Sequence, residues 1–133
     1  MDEKLERLLA EREADVVELT RALVAFPTIN PPGEAYTPCA EFLGRRLRES
    51  GFEVQYIRGE GAPGDSDRYP RTNVIGRLET GRPGPTIHFN GHLDVVEVGR
   101  GWSVDPFAGV VRDGRIYGRG TCDMKGGIAA AVI

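Results

Sequence analysis

At 133 residues the chain has room for one compact unit, and its 40% hydrophobic and 28% charged residues are those of an ordinary globular protein. A formal net charge of −3 argues against a nucleic-acid binder, which would carry a strong basic excess, and no apolar run approaches the roughly 20 residues that cross a bilayer. Cys39 and Cys122 stand too far apart in sequence to suggest a disulfide framework, and the first residues lack the basic-then-apolar pattern of a leader, so a cytoplasmic setting is expected.

Taken in chain order, residues 2–26 predict a long helix. Leu5, Leu8, Leu9, Val16, Leu19, Leu23 and Val24 recur at spacings of three, four and seven, while Glu3, Lys4, Arg7, Glu11, Arg12 and Glu18 fill the opposite face. Pro27 and the run Asn30-Pro31-Pro32-Gly33 end it, because proline lacks a backbone donor and disfavours helix in the residue before it. A second helix is expected over 38–50, with Thr37 as N-cap, Pro38 at the first helical position and Gly51 as the stop. Ala40, Phe42, Leu43 and Leu47 form its buried stripe, and Cys39 is expected to be a small buried side chain. Its arginines, Arg45, Arg46 and Arg48, read as a solvated face.

Residues 52–57 alternate apolar and polar, as a half-buried strand does; 59–71 is a Gly-, Pro- and Asp-rich loop; and 73–78 reads as a second strand. The apolar run Thr86-Ile87-His88-Phe89 reads as a third, buried strand between the turn at Arg82-Pro83-Gly84-Pro85 and Gly91. Helices followed by closely spaced strands suggest an α/β domain with helices packed on a sheet. Further on, Val110-Val111-Arg112 and Arg115-Ile116-Tyr117 joined by Asp113-Gly114 carry the strongest hairpin signal in the chain. An apolar, Ala-rich helix is expected to begin after Asp123.

Two stretches carry candidate chemistry. In Phe89-Asn90-Gly91-His92-Leu93-Asp94-Val95-Val96, residues i and i+2 of an extended chain face one side, so His92 and Asp94 can point together. That suits a zinc-binding imidazole whose second nitrogen donates to a carboxylate. In Gly118-Arg119-Gly120-Thr121-Cys122-Asp123-Met124-Lys125-Gly126-Gly127, glycines crowd one carboxylate, so the backbone turns sharply or approaches something closely. His88 shares a strand face with His92, but a core histidine is the better reading of it. Asp105, before Pro106, reads as a turn carboxylate, and Trp102 and Phe107 as packing anchors.

Together, GHLDVV, GWSVDPF and GRGTCDMKGG resemble the dinuclear zinc metallohydrolases that include acetylornithine deacetylase, succinyl-diaminopimelate desuccinylase, aminoacylase and glutamate carboxypeptidase. The resemblance covers nearly all of this chain and the beginning of the family's pattern. It implies a central mixed sheet, with residues 1–133 as the amino-terminal part of a zinc-exopeptidase-like catalytic domain. It also implies His92 as a zinc ligand, Asp94 as the catalytic residue that orients it, and Asp123 as a carboxylate bridging two zinc ions, with a cis peptide bond after it. Cobalt could replace zinc.

The implied reaction is amide hydrolysis on a small N-acyl amino acid or peptide, in a homodimer without nucleic-acid or membrane partners. The two metal ions would activate water and polarise the carbonyl, while a glutamate moved the proton. That glutamate and the later ligands belong to the part of the family's pattern beyond Ile133, so the fragment alone is expected to be inactive. Two other readings stay open: a non-catalytic remnant that needs a partner chain, and a plain α/β interaction domain.

Overall fold

The computed structural model describes residues 2–133, and the chain divides into two compact units, residues 1–25 with 98–133 and residues 26–97. The α/β class holds: among the described residues three α-helices accompany four short strands, and the strands form two separate two-stranded antiparallel pairs rather than one mixed sheet. No described helix is long and apolar enough to cross a membrane.

In the first unit, helix α1 spans Glu3–Val24, and the Asp2 carboxylate caps it by accepting from the Lys4 N–H at 2.9 Å. Its last two turns supply the buried side chains Leu19, Thr20, Leu23 and Val24. Leu5, Leu8 and Leu9, on the same predicted apolar face, remain about half exposed. The periodicity therefore fixes the helix, while burial of its front half needs a partner surface that the described residues do not provide.

Strands β3 (Val110–Arg112) and β4 (Arg115–Tyr117) pair in the expected hairpin. Asp113 at φ 52° and Gly114 at φ 69° turn it with both central residues at positive φ, as a type I′ turn requires. After β4 comes a π-type turn, Thr121–Lys125, and then helix α3, Gly126–Val132. The Arg21 guanidinium ties α1 to this region through the Gly109 carbonyl at 2.9 Å. Trp102 is fixed by its indole N–H on the Val98 carbonyl at 2.6 Å and by the Arg119 guanidinium 5.5 Å from its ring centre. Asp105 accepts from the Phe107 N–H at 2.8 Å, the turn role expected of it.

In the second unit, helix α2 spans Tyr36–Glu49 and begins earlier than the sequence predicts. Ala35, at φ 53°, occupies the cap position, and Thr37 lies inside the first turn, where its hydroxyl meets that of Thr72 at 2.7 Å. A tertiary contact thus replaces the local cap read from Thr37-Pro38. Strands β1 (Glu53–Arg58) and β2 (Thr72–Arg77) pair antiparallel, with Val54 opposite Gly76 and Tyr56 opposite Val74. Those four residues are half-buried against α2, whose Cys39, Ala40, Leu43, Gly44 and Leu47 are buried. Gly76 admits the helix closely: a Cβ there would stand 3.1 Å from Leu47 Cδ1.

The expected strand at 86–89 does not form. These residues pair with no ladder among the described residues and leave Ile87 and Phe89 77% and 72% exposed. An apolar run signals burial, but a strand also requires a neighbour to satisfy its N–H and C=O groups. His88 is accordingly exposed and not a core histidine.

Candidate metal centre

Pairing with Thr28–Asn30, rather than a sheet, holds the segment that carries His92. Val95 donates to the Thr28 carbonyl at 2.9 Å and accepts from the Asn30 N–H at 2.8 Å, forming an isolated parallel bridge between Ile29 and Val95. The Thr28 hydroxyl adds a bond to the Leu93 carbonyl. Thr28 and Val95 are buried, so both ends of the Leu93-Asp94-Val95 stretch are pinned while its polar side chains emerge.

His92 and Asp94 meet as the extended spacing predicts. His92 Nδ1 lies 3.1 Å from Asp94 Oδ1 and 3.1 Å from the Asp94 carbonyl. Both partners of Nδ1 are acceptors, so Nδ1 must carry the proton, and in the neutral ring the lone pair then sits on Nε2. That is the tautomer a metal ligand needs. The pair is partly exposed, with side-chain accessibilities of 46% for His92 and 36% for Asp94.

Behind Asp94 stands a polar array that the sequence did not single out. Asn30 Nδ2 donates to Asp94 Oδ2 at 3.2 Å, and Arg71 Nη2 donates to Asn30 Oδ1 at 3.3 Å. Arg71 in turn lies 5.1 Å from the Tyr36 ring centre and donates through Nε to the Pro63 carbonyl at 3.2 Å. Its backbone N–H is held by Asp65, which also takes the Arg58 guanidinium. The Arg58 hydrogen bond, followed by that of the Arg71 backbone, holds the Asp65 carboxyl below its ordinary value. Burial and then the negative charge of Asp94 push the Tyr36 phenol up, with Arg71 acting in the opposite sense. Asn30 had read only as a turn residue; an amide directly before two prolines was the available signal.

Asp123 belongs to the first unit and sits, exposed, in the Thr121–Lys125 turn. The Asp123–Met124 peptide bond is cis, as the resemblance implied. Two of the glycines are needed there. Gly120 lies at φ 84°, and a Cβ on Gly126 would stand 2.6 Å from the Thr121 carbonyl oxygen. Gly127 carries no such constraint, its nearest neighbour being Met124 Cε at 3.7 Å.

Lys125 is wholly buried and donates from Nζ to the Leu23 carbonyl at 2.9 Å. This bond moors the Asp123 turn to the carboxyl end of α1. Cys122 is exposed and Cys39 buried.

The structure thus brings His92 and Asp94 together and shapes the turn that carries Asp123. Among the described residues, no group of three or more His, Cys, Asp or Glu side chains is arranged to hold a metal ion. A histidine with its tautomer set by a carboxylate fits one zinc ligand, and an exposed aspartate fits another. A catalytic zinc ordinarily takes three protein ligands plus water.

Comparison with known proteins agrees with these motifs. Residues 88–133, which contain His92, Asp94 and Asp123, match peptidase family M20/M25/M40. Over 130 residues it is 41% identical to succinyl-diaminopimelate desuccinylase 2 of Ruegeria sp. (strain TM1040), covering 96% of this chain and 30% of that protein. The succinyl-diaminopimelate desuccinylase of Rhodopseudomonas palustris (strain BisA53) is 42% identical over 120 residues, covering 89% and 29%. That of Acidiphilium cryptum (strain JF-5) is 39% identical over 121 residues, covering 90% and 29%. The chain therefore spans about 30% of the length of these relatives.

Proposed function

We propose that these residues form part of the catalytic domain of a zinc-dependent amidohydrolase. Its substrate class is a small N-acyl amino acid, and the names of the relatives favour a succinyl amide such as that of succinyl-diaminopimelate. His92, through Nε2, and Asp123, through its carboxylate, each supply a metal ligand, while Asp94 holds the imidazole in the ligating tautomer. When bound, zinc or cobalt supplies a Lewis acid that polarises the scissile carbonyl.

The observation that carries this reading is the commitment of His92 Nδ1 to two acceptors of Asp94, within a segment matched to a metallopeptidase family. Further ligands and a general base are needed for turnover, so the 133-residue chain by itself is expected to be inactive. We place the complete protein in the cytoplasm as a homodimer. A second reading, a non-catalytic chain that completes itself on another polypeptide, draws support from the exposed Ile87 and Phe89.

The test is hydrolysis of succinyl-diaminopimelate by the protein as its own gene encodes it, after chelation and after zinc is restored. Activity should vanish on chelation and return with zinc. Both His92→Asn and Asp123→Asn should lower the rate by more than the ~10–100-fold typical of losing an outer-shell partner. A rate indifferent to chelation and to both substitutions refutes the proposal. Zinc binding that appears only with a second polypeptide favours the other reading.

A further inference from the structure

We infer that Asn30, oriented by Arg71, is a positioning residue that sets the Asp94 carboxylate and, through it, the tautomer of His92. The inference deepens the metal-centre reading and rests on it for its consequence in metal affinity.

The logic lies in the donor and acceptor inventory. An amide side chain presents one oxygen and one NH2 group and can face either way. Arg71 can only donate, so its Nη2, 3.3 Å from Asn30, requires the amide oxygen on that side. The NH2 group is thereby turned to Asp94 Oδ2 at 3.2 Å. With Oδ2 engaged by Asn30, Oδ1 is the oxygen left toward His92 Nδ1, at 3.1 Å. The carboxylate is thus held at both oxygens, and its plane is fixed relative to the ring.

Arg71 is itself held on several sides. Tyr36 lies against its face, Pro63 accepts from Nε, and Asp65 accepts from its backbone. Two glycines make room for the guanidinium: a Cβ on Gly33 would fall 1.7 Å from Nη1, and one on Gly64 would fall 2.1 Å from Nη2. Asn30 is tied through its backbone to Val95, next to Asp94, so its side chain and the carboxylate cannot drift apart. An asparagine serving only as a turn residue would require none of this.

The experiment reads the His92 tautomer by nitrogen-15 NMR in the metal-free protein, as its gene encodes it, at alkaline pH where imidazole is neutral. The His92 signal is assigned by its loss in His92→Gln. Asn30→Asp keeps the side-chain shape and an acceptor for Arg71 but sets a negative oxygen against Asp94; Arg71→Met leaves the amide free to turn. In each, the ratio of the Nδ1–H to the Nε2–H form should fall about three- to tenfold, the change that one hydrogen bond of ordinary net strength sustains.

Cobalt titration of the same proteins should show weaker binding and an altered visible spectrum. A tautomer ratio unchanged in either variant, with circular dichroism matching the parent, overturns the inference. A tautomer ratio that falls in the variants while the parent binds no cobalt leaves the positioning role intact and refutes the metal centre instead.

Discussion

Replacing Gly64 by Ala probes the Arg71 cradle most sharply, because Gly61 provides a matched control. Both glycines adopt positive φ, 79° at Gly64 and 74° at Gly61. Alanine therefore pays a similar backbone penalty at each, about 1–2 kcal/mol. Their surroundings differ: a Cβ at Gly61 meets nothing within 4 Å, whereas at Gly64 it stands 2.1 Å from Arg71 Nη2 and 3.1 Å from Cζ.

The guanidinium must retreat by roughly 1.4 Å to restore van der Waals contact. Its bond to Asn30 is already long at 3.3 Å, so that retreat breaks it and lifts the group from Tyr36. A charged hydrogen bond is worth about 1.5–3 kcal/mol and a cation–π contact about 0.5–2, with partial exposure placing both near their lower ends. Gly64→Ala should thus cost about 1.5–3 kcal/mol more than Gly61→Ala in urea denaturation followed by far-ultraviolet circular dichroism. Equal losses in the two variants would show that Arg71 is not held as described.

Two further outcomes follow from the packing and the charges. Leu23, wholly buried near the end of α1, should cost about 2–5 kcal/mol when changed to Ala, measured as a lower urea midpoint. A loss below ~1 kcal/mol would place that face of α1 in solvent. The Asp65 carboxyl, held below its ordinary value, contributes stability that is present above the unfolded value near 3.9 and lost as pH falls through the lower folded value. Asp65→Asn should therefore flatten the decline of the urea midpoint below about pH 5, and an unchanged slope would count against the Arg58–Asp65 pairing.

Local signals were legible in the sequence and non-local ones were not. The Asp113-Gly114 hairpin, the course of α1 and the His92–Asp94 pair each depend on residues close in the chain, and each forms as read. The run at 86–89 announced burial but could not name a partner strand, and it lies outside any ladder among the described residues with Ile87 and Phe89 exposed. Thr37 looked like a cap because threonine before proline usually is one, yet its hydroxyl is drawn to Thr72, on β2. Lys125 amid glycines carries no local signal that decides its surroundings, and its bond to Leu23, far back in the chain, makes it a buried strut. Asn30 and Arg71 escaped for the same reason: each is unremarkable within its own turn, and their meeting depends on the fold.

Diffraction at the zinc absorption edge, from crystals of the protein grown with zinc, tests most directly whether His92 and Asp123 hold metal. The expected result is an anomalous peak about 2.0–2.1 Å from His92 Nε2, with an Asp123 carboxylate oxygen bonded to a zinc ion of the same centre. A zinc-loaded structure with either side chain away from the metal, or with the metal bound through His92 Nδ1, would contradict the proposed centre.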